Sequence, residues 1–101
     1  MKKIVFTGGN GRFGSILSNA KSKFRLFFPS RKQLDITNLN KIRSYLKKKK
    51  PDYLIHMAAL SRPMKLHEKN VDLAVKTNII GTSNIVIACY EKNIKLIYFS
   101  S

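Results

Sequence analysis

The chain has 101 residues, 44% of them apolar: enough for one small domain with a core, and too few for an enzyme built from two. Its net charge is +15, from 20 Lys and Arg against 5 Asp and Glu, which attracts polyanions of any kind. Lys, Ile and Asn are abundant throughout, so the excess reads as compositional drift before it reads as a binding patch.

In chain order, residues 3–7 (KIVFT) are nearly continuously apolar, the pattern of a strand buried on both faces. The glycine-rich turn TGGNGRFG follows, and from Arg12 the apolar residues Phe13, Ile16, Leu17 and Ala20 fall at helical spacing. Residues 24–28 (FRLFF) read as a second strand, ended by Pro29 and Ser30, and residues 34–36 (LDI) as a brief third. Thr37 or Asn38 caps a helix carrying Leu39, Ile42, Tyr45 and Leu46, which Pro51 stops. The run 47–50 of lysines then meets the negative end of that helix dipole. Residues 53–57 (YLIHM) make another strand, and 61–70 a looser polar segment. A long helix bears Val71, Ala74, Val75, Asn78, Ile79, Thr82, Ile85, Val86 and Cys89, with Gly81 marking close packing on a neighbour. Residues 95–100 (KLIYFS) form the last strand.

Strands alternating with helices imply parallel pairing through right-handed crossovers: an α/β, Rossmann-type doubly wound sheet of about five strands, occupying 1–101 as one unit. The order strand, TGGNGRFG, helix assigns the glycines their work. Gly8 takes the backbone angles of the turn, Gly11 lets a pyrophosphate approach bare main chain, and Gly14 packs helix on strand. The helix N-terminus presents free N–H groups to the phosphates. A ligand-free glycine turn is the plainer alternative.

The spacing TGxxGxxG resembles the extended branch of the short-chain dehydrogenase/reductase superfamily, the nucleotide-sugar epimerases, dehydratases and reductases of the dTDP-4-dehydrorhamnose reductase type. Four further segments match in order: LDIT at 34–37, IHMAA at 55–59, TNIIGT at 77–82 and YFSS at 98–101. The resemblance implies a dinucleotide site made of Gly8, Asn10, Gly11, Arg12, Phe13 and Gly14 in the turn. Asp35 and Ile36 would lie at the adenine, Met57, Ala58 and Ala59 along the ribose and nicotinamide side, and Asn78 near the active site. It also implies a catalytic Ser at Ser101, with Ser100 or the next residue as alternatives in register. Asp35 as a turn residue, the alanines as small core residues and Asn78 as a backbone bridge are the structural alternatives.

Relatives that prefer NAD end the second strand in an acid, whereas here Pro29-Ser30-Arg31-Lys32 offers a hydroxyl and cations to a 2′-phosphate. NADP is therefore favoured over NAD, with Ser30 and Arg31 as its readers. The implied activity is NAD(P)-dependent oxidoreduction or epimerisation of a nucleotide-activated sugar. The family's YxxxK helix, last strands and substrate domain are expected beyond residue 101, so these residues should bind dinucleotide and catalyse nothing. Tyr45 with Lys49 fits YxxxK, but a helix that crosses the sheet before the fourth strand is the wrong place for it. A non-catalytic, redox-sensing module of the same fold is the alternative function.

His56 and His67 lack carboxylate or thiol partners for a metal, and His56 inside a strand run reads as a packed core residue. Phe27, Phe28, Tyr53, Tyr98 and Phe99 fall in apparent buried strands, which argues against nucleic acid as a partner. The first apolar run stops after three residues, too short for a secretory leader, and none approaches the ~20 residues of a membrane span. With one cysteine and no internal disulfide, a cytoplasmic protein is expected. Family members often pair through the helix at 72–92, so a homodimer of the intact protein is expected too.

Overall fold

Apolar runs that need cover on both sides assemble into one sheet. The computed structural model describes residues 1–8, 23–58 and 68–100. These form β1 (Lys2–Gly8), β2 (Phe24–Phe27), α1 (Leu39–Lys49), β3 (Tyr53–Ala58), α2 (Glu68–Glu91) and β4 (Lys95–Ser100). The strands pair in the order β2-β1-β3-β4, every neighbour parallel. From β1 the chain goes to β2 on one side and then to β3 on the other. The winding thus reverses between β1 and β3, which opens a crevice at their carboxyl ends.

Period-two alternation divides the core between the two faces of the sheet. On one face Val5 and Leu54 pack with Leu34, Ile42, Leu46, Ile85, Ala88 and Cys89, which brings in α1 and α2. On the other, Ile4 and Phe6 meet Phe24, Leu26, Tyr53, Ile55 and Met57. Each fully buried aliphatic side chain here contributes about 1.5–3 kcal/mol. Truncating Leu54, which has no exposed surface, to Ala therefore costs about 2–5 kcal/mol.

The amino-terminal edge of the sheet is tied by one aspartate. Asp52 accepts from the Lys3 backbone N–H at 2.8 Å through Oδ2, and its own N–H donates to the Lys3 carbonyl at 2.9 Å. Lys3 Nζ reaches the Lys49 carbonyl at 3.1 Å, so the last turn of α1 lies at this same edge. Asn38 caps α1 by accepting from the Lys41 N–H at 3.1 Å. Lys50, left-handed at φ 50°, ends the helix with its N–H donating to the Leu46 carbonyl at 2.8 Å, and Pro51, which has no N–H, cannot continue it. Between α2 and β4, Asn93 takes the same conformation at φ 55°.

Three expectations are corrected. Residues 34–36 form no strand, and the described residues contain four strands rather than about five. The Ser30 carbonyl accepts from the N–H groups of Gln33 and Leu34, and Asp35 Oδ1 captures the Thr37 N–H at 3.0 Å. Those backbone groups are satisfied locally and have nothing left for a ladder. Second, α2 begins at Glu68, inside the segment read as loosely polar, because a polar first turn carries no apolar period to betray it. Third, Phe28, Tyr98 and Phe99 are exposed by 49%, 46% and 49% rather than buried. Phe28 lies past the end of β2, and β4 is the outer strand of the described sheet, with no strand on its far side to cover it.

Candidate dinucleotide site at the carboxyl edge

The crevice between β1 and β3 is lined by Gly8 and Met57, which are register partners. Gly8 has φ +74°, a left-handed conformation that side chains rarely adopt. A β-carbon on it would overlap the Met57 carbonyl oxygen and lie 3.1 Å from the Met57 carbonyl carbon. Only bare main chain fits here, as the turn chemistry requires. Ala58, the last residue of β3, is the register partner of Ser100 at the end of β4.

Ser30 and Arg31 follow β2, the strand beside β1. Ser30 anchors a tight turn: its N–H donates to Gln33 Oε1 at 2.8 Å, and its Oγ accepts from the Gln33 N–H at 3.3 Å. Arg31 and Lys32 in that turn are exposed, and no carboxylate stands among residues 28–34. Asp35 is also exposed; its Oδ1 accepts from the Thr37 hydroxyl at 2.6 Å and the Thr37 N–H. The Thr37 hydroxyl is the main reason its pKa falls below the ordinary carboxylate value, the Thr37 N–H adding to it.

Ile36 is clasped by α2. A β-carbon on Gly81 would come within 2.5 Å of Ile36 Cδ1, and Asn84 Nδ2 donates to the Ile36 carbonyl at 2.9 Å. The close neighbour implied by Gly81 is thus the residue beside Asp35. Asn78 is half-buried one turn before Thr82 and lines an open apolar depression with Thr82, Val86 and Tyr98. Asn10, Gly11, Arg12, Phe13, Gly14, Ala59, Ser101 and His67 lie outside the described residues.

The sequence reading missed the polar connection beneath this edge. His56 is 1% exposed, as expected of a packed core residue, but both its ring nitrogens have partners. Thr7 Oγ1 lies 2.7 Å from Nδ1, and Thr82 Oγ1 lies 3.0 Å from Nε2. Burial pushes the His56 pKa below its ordinary value, against a smaller raising effect of a hydrogen bond with Thr7. The available signal was chemical: a histidine at a buried strand position demands partners, and TNIIGT supplies a hydroxyl on the facing helix.

Two groups are unsuited to chemistry. Tyr45 is half-buried on α1, its pKa raised by that burial, with Lys49 Nζ 6.0 Å from its ring centre and Lys49 at the amino-terminal edge. This pair is remote from the crevice and tuned away from proton transfer. Burial likewise pushes the Cys89 thiol up to about 11, leaving it protonated at neutral pH.

A wholly parallel sheet with its switch point at a left-handed glycine defines the Rossmann-type class of α/β folds. The chain belongs to the RmlD substrate binding domain family, which matches residues 1–101. It is 31% identical over 103 residues to GDP-L-colitose synthase of Yersinia pseudotuberculosis, covering 92% of this chain and 31% of that protein. It is 32% identical over 96 residues to GDP-6-deoxy-D-talose 4-dehydrogenase of Aggregatibacter actinomycetemcomitans, covering 91% and 32%. Among solved structures, dTDP-4-dehydrorhamnose reductase from Bacillus anthracis in complex with NADP superposes with a TM-score of 0.79 at 30% identity, covering 97% of this chain and 36% of that one. A GDP-L-fucose synthetase from Naegleria fowleri bound to NADP gives 0.71 at 27% identity, covering 96% and 30%. The chain spans about a third of the length of the curated relatives it matches.

Proposed function

We propose that these residues form the dinucleotide-binding part of an NAD(P)-dependent oxidoreductase or epimerase acting on a nucleotide-activated sugar, with NADP preferred. The observation that carries this reading is Gly8, left-handed at the exit of β1 and pressed on the Met57 carbonyl, at the switch point of the parallel sheet. The relatives solved with NADP and named for nucleotide-sugar chemistry support it.

The residues present fit such a cofactor. Gly8, with Asn10, Gly11, Arg12, Phe13 and Gly14 of the glycine-rich turn, would hold the diphosphate, the sequence pattern of a strand followed by such a turn being suited to an anion. Ser30 and Arg31, with no carboxylate among residues 28–34 to oppose them, would take the 2′-phosphate. Asp35 and Ile36, the latter held against α2, would border the adenine, with Met57, Ala58 and Ala59 toward the ribose and nicotinamide. Asn78 would lie toward the reacting end, and Ser101 would orient the substrate oxygen by hydrogen bonding. When bound, a nicotinamide dinucleotide supplies the hydride acceptor or donor. Tyr45 is the only tyrosine with a lysine four residues on, and it stands at the wrong edge. In this reading these residues contribute the cofactor site, and a YxxxK pair such as the family carries would move the proton.

Partners follow from the surface. Leu73, Ile80 and Ile87 recur every seven residues on α2, as do Ile79 and Val86, all exposed. Such a seam suits a helix of a second copy, and we assign the homodimer of the intact protein to it. Light scattering of the Ile80→Glu variant checks this, a monomer being the expected result. Nucleic acid is not a partner in this reading, which takes the positive charge as compositional: of the aromatic residues in question Phe28, Tyr98 and Phe99 are exposed, while Lys2 and Lys49 lie 5.6 and 4.9 Å from the ring centres of Tyr53 and Phe27. Among the described residues no helix is long and apolar enough to cross a membrane. We further propose a cytoplasmic location, which a single cysteine, unable to form an internal disulfide, supports.

Titration with NADPH and NADH, followed by cofactor fluorescence, tests the proposal. Wild type binds NADPH more tightly, and Arg31→Asp weakens NADPH by about tenfold while sparing NADH. Failure of a folded wild type to bind either dinucleotide overturns the reading. Binding in the intact protein without turnover of any nucleotide sugar would favour the redox-sensing module.

A further inference from the structure

Thr7, His56 and Tyr98 are register partners across β1, β3 and β4 and form one row on the α2 side of the sheet. The row lies a single residue short of the crevice, where Gly8 pairs with Met57. Its centre is an imidazole with almost no exposed surface, and the Tyr98 ring stands 6.1 Å from it. Among the described residues, the groups set against that imidazole are hydroxyls of two different elements, Thr7 on β1 and Thr82 on α2, besides the Tyr98 phenol ring; none of these is charged.

An apolar side chain would fill this position at no desolvation penalty. The histidine instead requires two partners with defined directions, because a neutral ring has one donor and one acceptor nitrogen at fixed angles. Such a bridge determines where α2 can sit along the sheet to within the tolerance of a hydrogen bond, whereas aliphatic contacts permit sliding. Thr82 follows Gly81, which packs on Ile36, and precedes Asn84, which holds the Ile36 carbonyl. Asn78 lies one turn earlier on the same helical face.

We propose that His56 is a positioning residue: by joining Thr7 to Thr82 it sets the register of α2 over the sheet, and through α2 the placement of Asn78 and of the Asp35–Ile36 turn beside the crevice. The inference rests on the dinucleotide reading for its functional consequence, and on geometry alone for its structural one. Satisfaction of a buried ring explains a hydrogen bond. It does not explain why the two bonds run to two different elements, the neighbouring strand β1 and the helix α2.

The test uses four variants of the whole protein. Thr82→Val keeps shape and removes the α2-side hydroxyl, and Thr82→Ser restores it; His56→Leu removes the bridge, and His56→Gln retains a donor and an acceptor. Amide hydrogen exchange is followed in α1 and α2, and NADPH binding by fluorescence. Expected are faster exchange confined to residues 78–84 and an NADPH affinity about tenfold weaker in Thr82→Val and His56→Leu. Thr82→Ser and His56→Gln should recover most of both. Wild-type exchange and affinity in Thr82→Val, or a loss spread equally over α1 and α2, overturns the inference. Should wild type bind no NADPH, the dinucleotide reading fails, yet local exchange in Thr82→Val with rescue by Thr82→Ser still upholds the positioning role. Should His56→Leu fail to fold, the Thr82 pair decides alone.

Discussion

Gly8 and Met57 meet so closely that a β-carbon on the first would overlap the carbonyl oxygen of the second. The contact lies between backbones of adjacent strands, so neither side can yield as a flexible side chain would. Gly8→Ala must therefore bear both a left-handed φ of +74° and a displacement of β3. The expected loss is at least about 2 kcal/mol, which lowers the melting temperature by roughly 8–16 °C. Gly81→Ala meets the Cδ1 and Cγ1 atoms of the Ile36 side chain rather than backbone and gains helix propensity, so it should lose less. Circular-dichroism melts of the two variants check this, and a Gly8→Ala protein as stable as wild type would contradict it.

The only described ion pair between elements is Arg43 on α1 with Glu91 on α2, doubly bonded at 2.9 and 2.8 Å. The Arg43 guanidinium holds the Glu91 pKa below its ordinary 4.5. A depressed carboxylate stabilises the fold above its unfolded value, and that stabilisation disappears as pH falls through the folded one. Wild type should therefore be more stable than Glu91→Gln at pH 7, the gap closing below about pH 4.5 and narrowing in high salt. Denaturant titrations across that range measure it. A gap independent of pH would show that the pair does not contribute through charge.

His56 gives a second pH signature. Burial depresses its folded pKa below the ordinary 6.5, so the unfolded chain binds more protons in the interval between. Stability is full above about pH 6.5 and falls as the solution is acidified through that interval. His56→Gln should flatten this part of the curve. An identical slope in the variant would assign it to other groups.

The parallel sheet was legible because a strand covered on both faces must be apolar on both, and 53–57 and 95–100 carry that pattern nearly to their ends. Residues 34–36 misled for a related reason: Leu34 is buried like a strand residue, but its neighbour Asp35 closes a turn through its own side chain. Apolar runs also do not tell an edge strand from a central one, which is why Tyr98 and Phe99 read as buried. The Thr7–His56–Thr82 bridge spans separations of 49 and 26 residues, beyond any local pattern. Gly8 was legible as a requirement of the turn, but its partner Met57 emerged only with the register of β1 on β3.

The central claim is that bare main chain at this edge holds a diphosphate, and titrating wild type and Gly11→Val with NADPH tests it most directly. The account predicts saturable binding by wild type and affinity at least about tenfold weaker in the variant, both proteins being folded by circular dichroism. Equal affinity in the two, or no binding by a folded wild type, would contradict it.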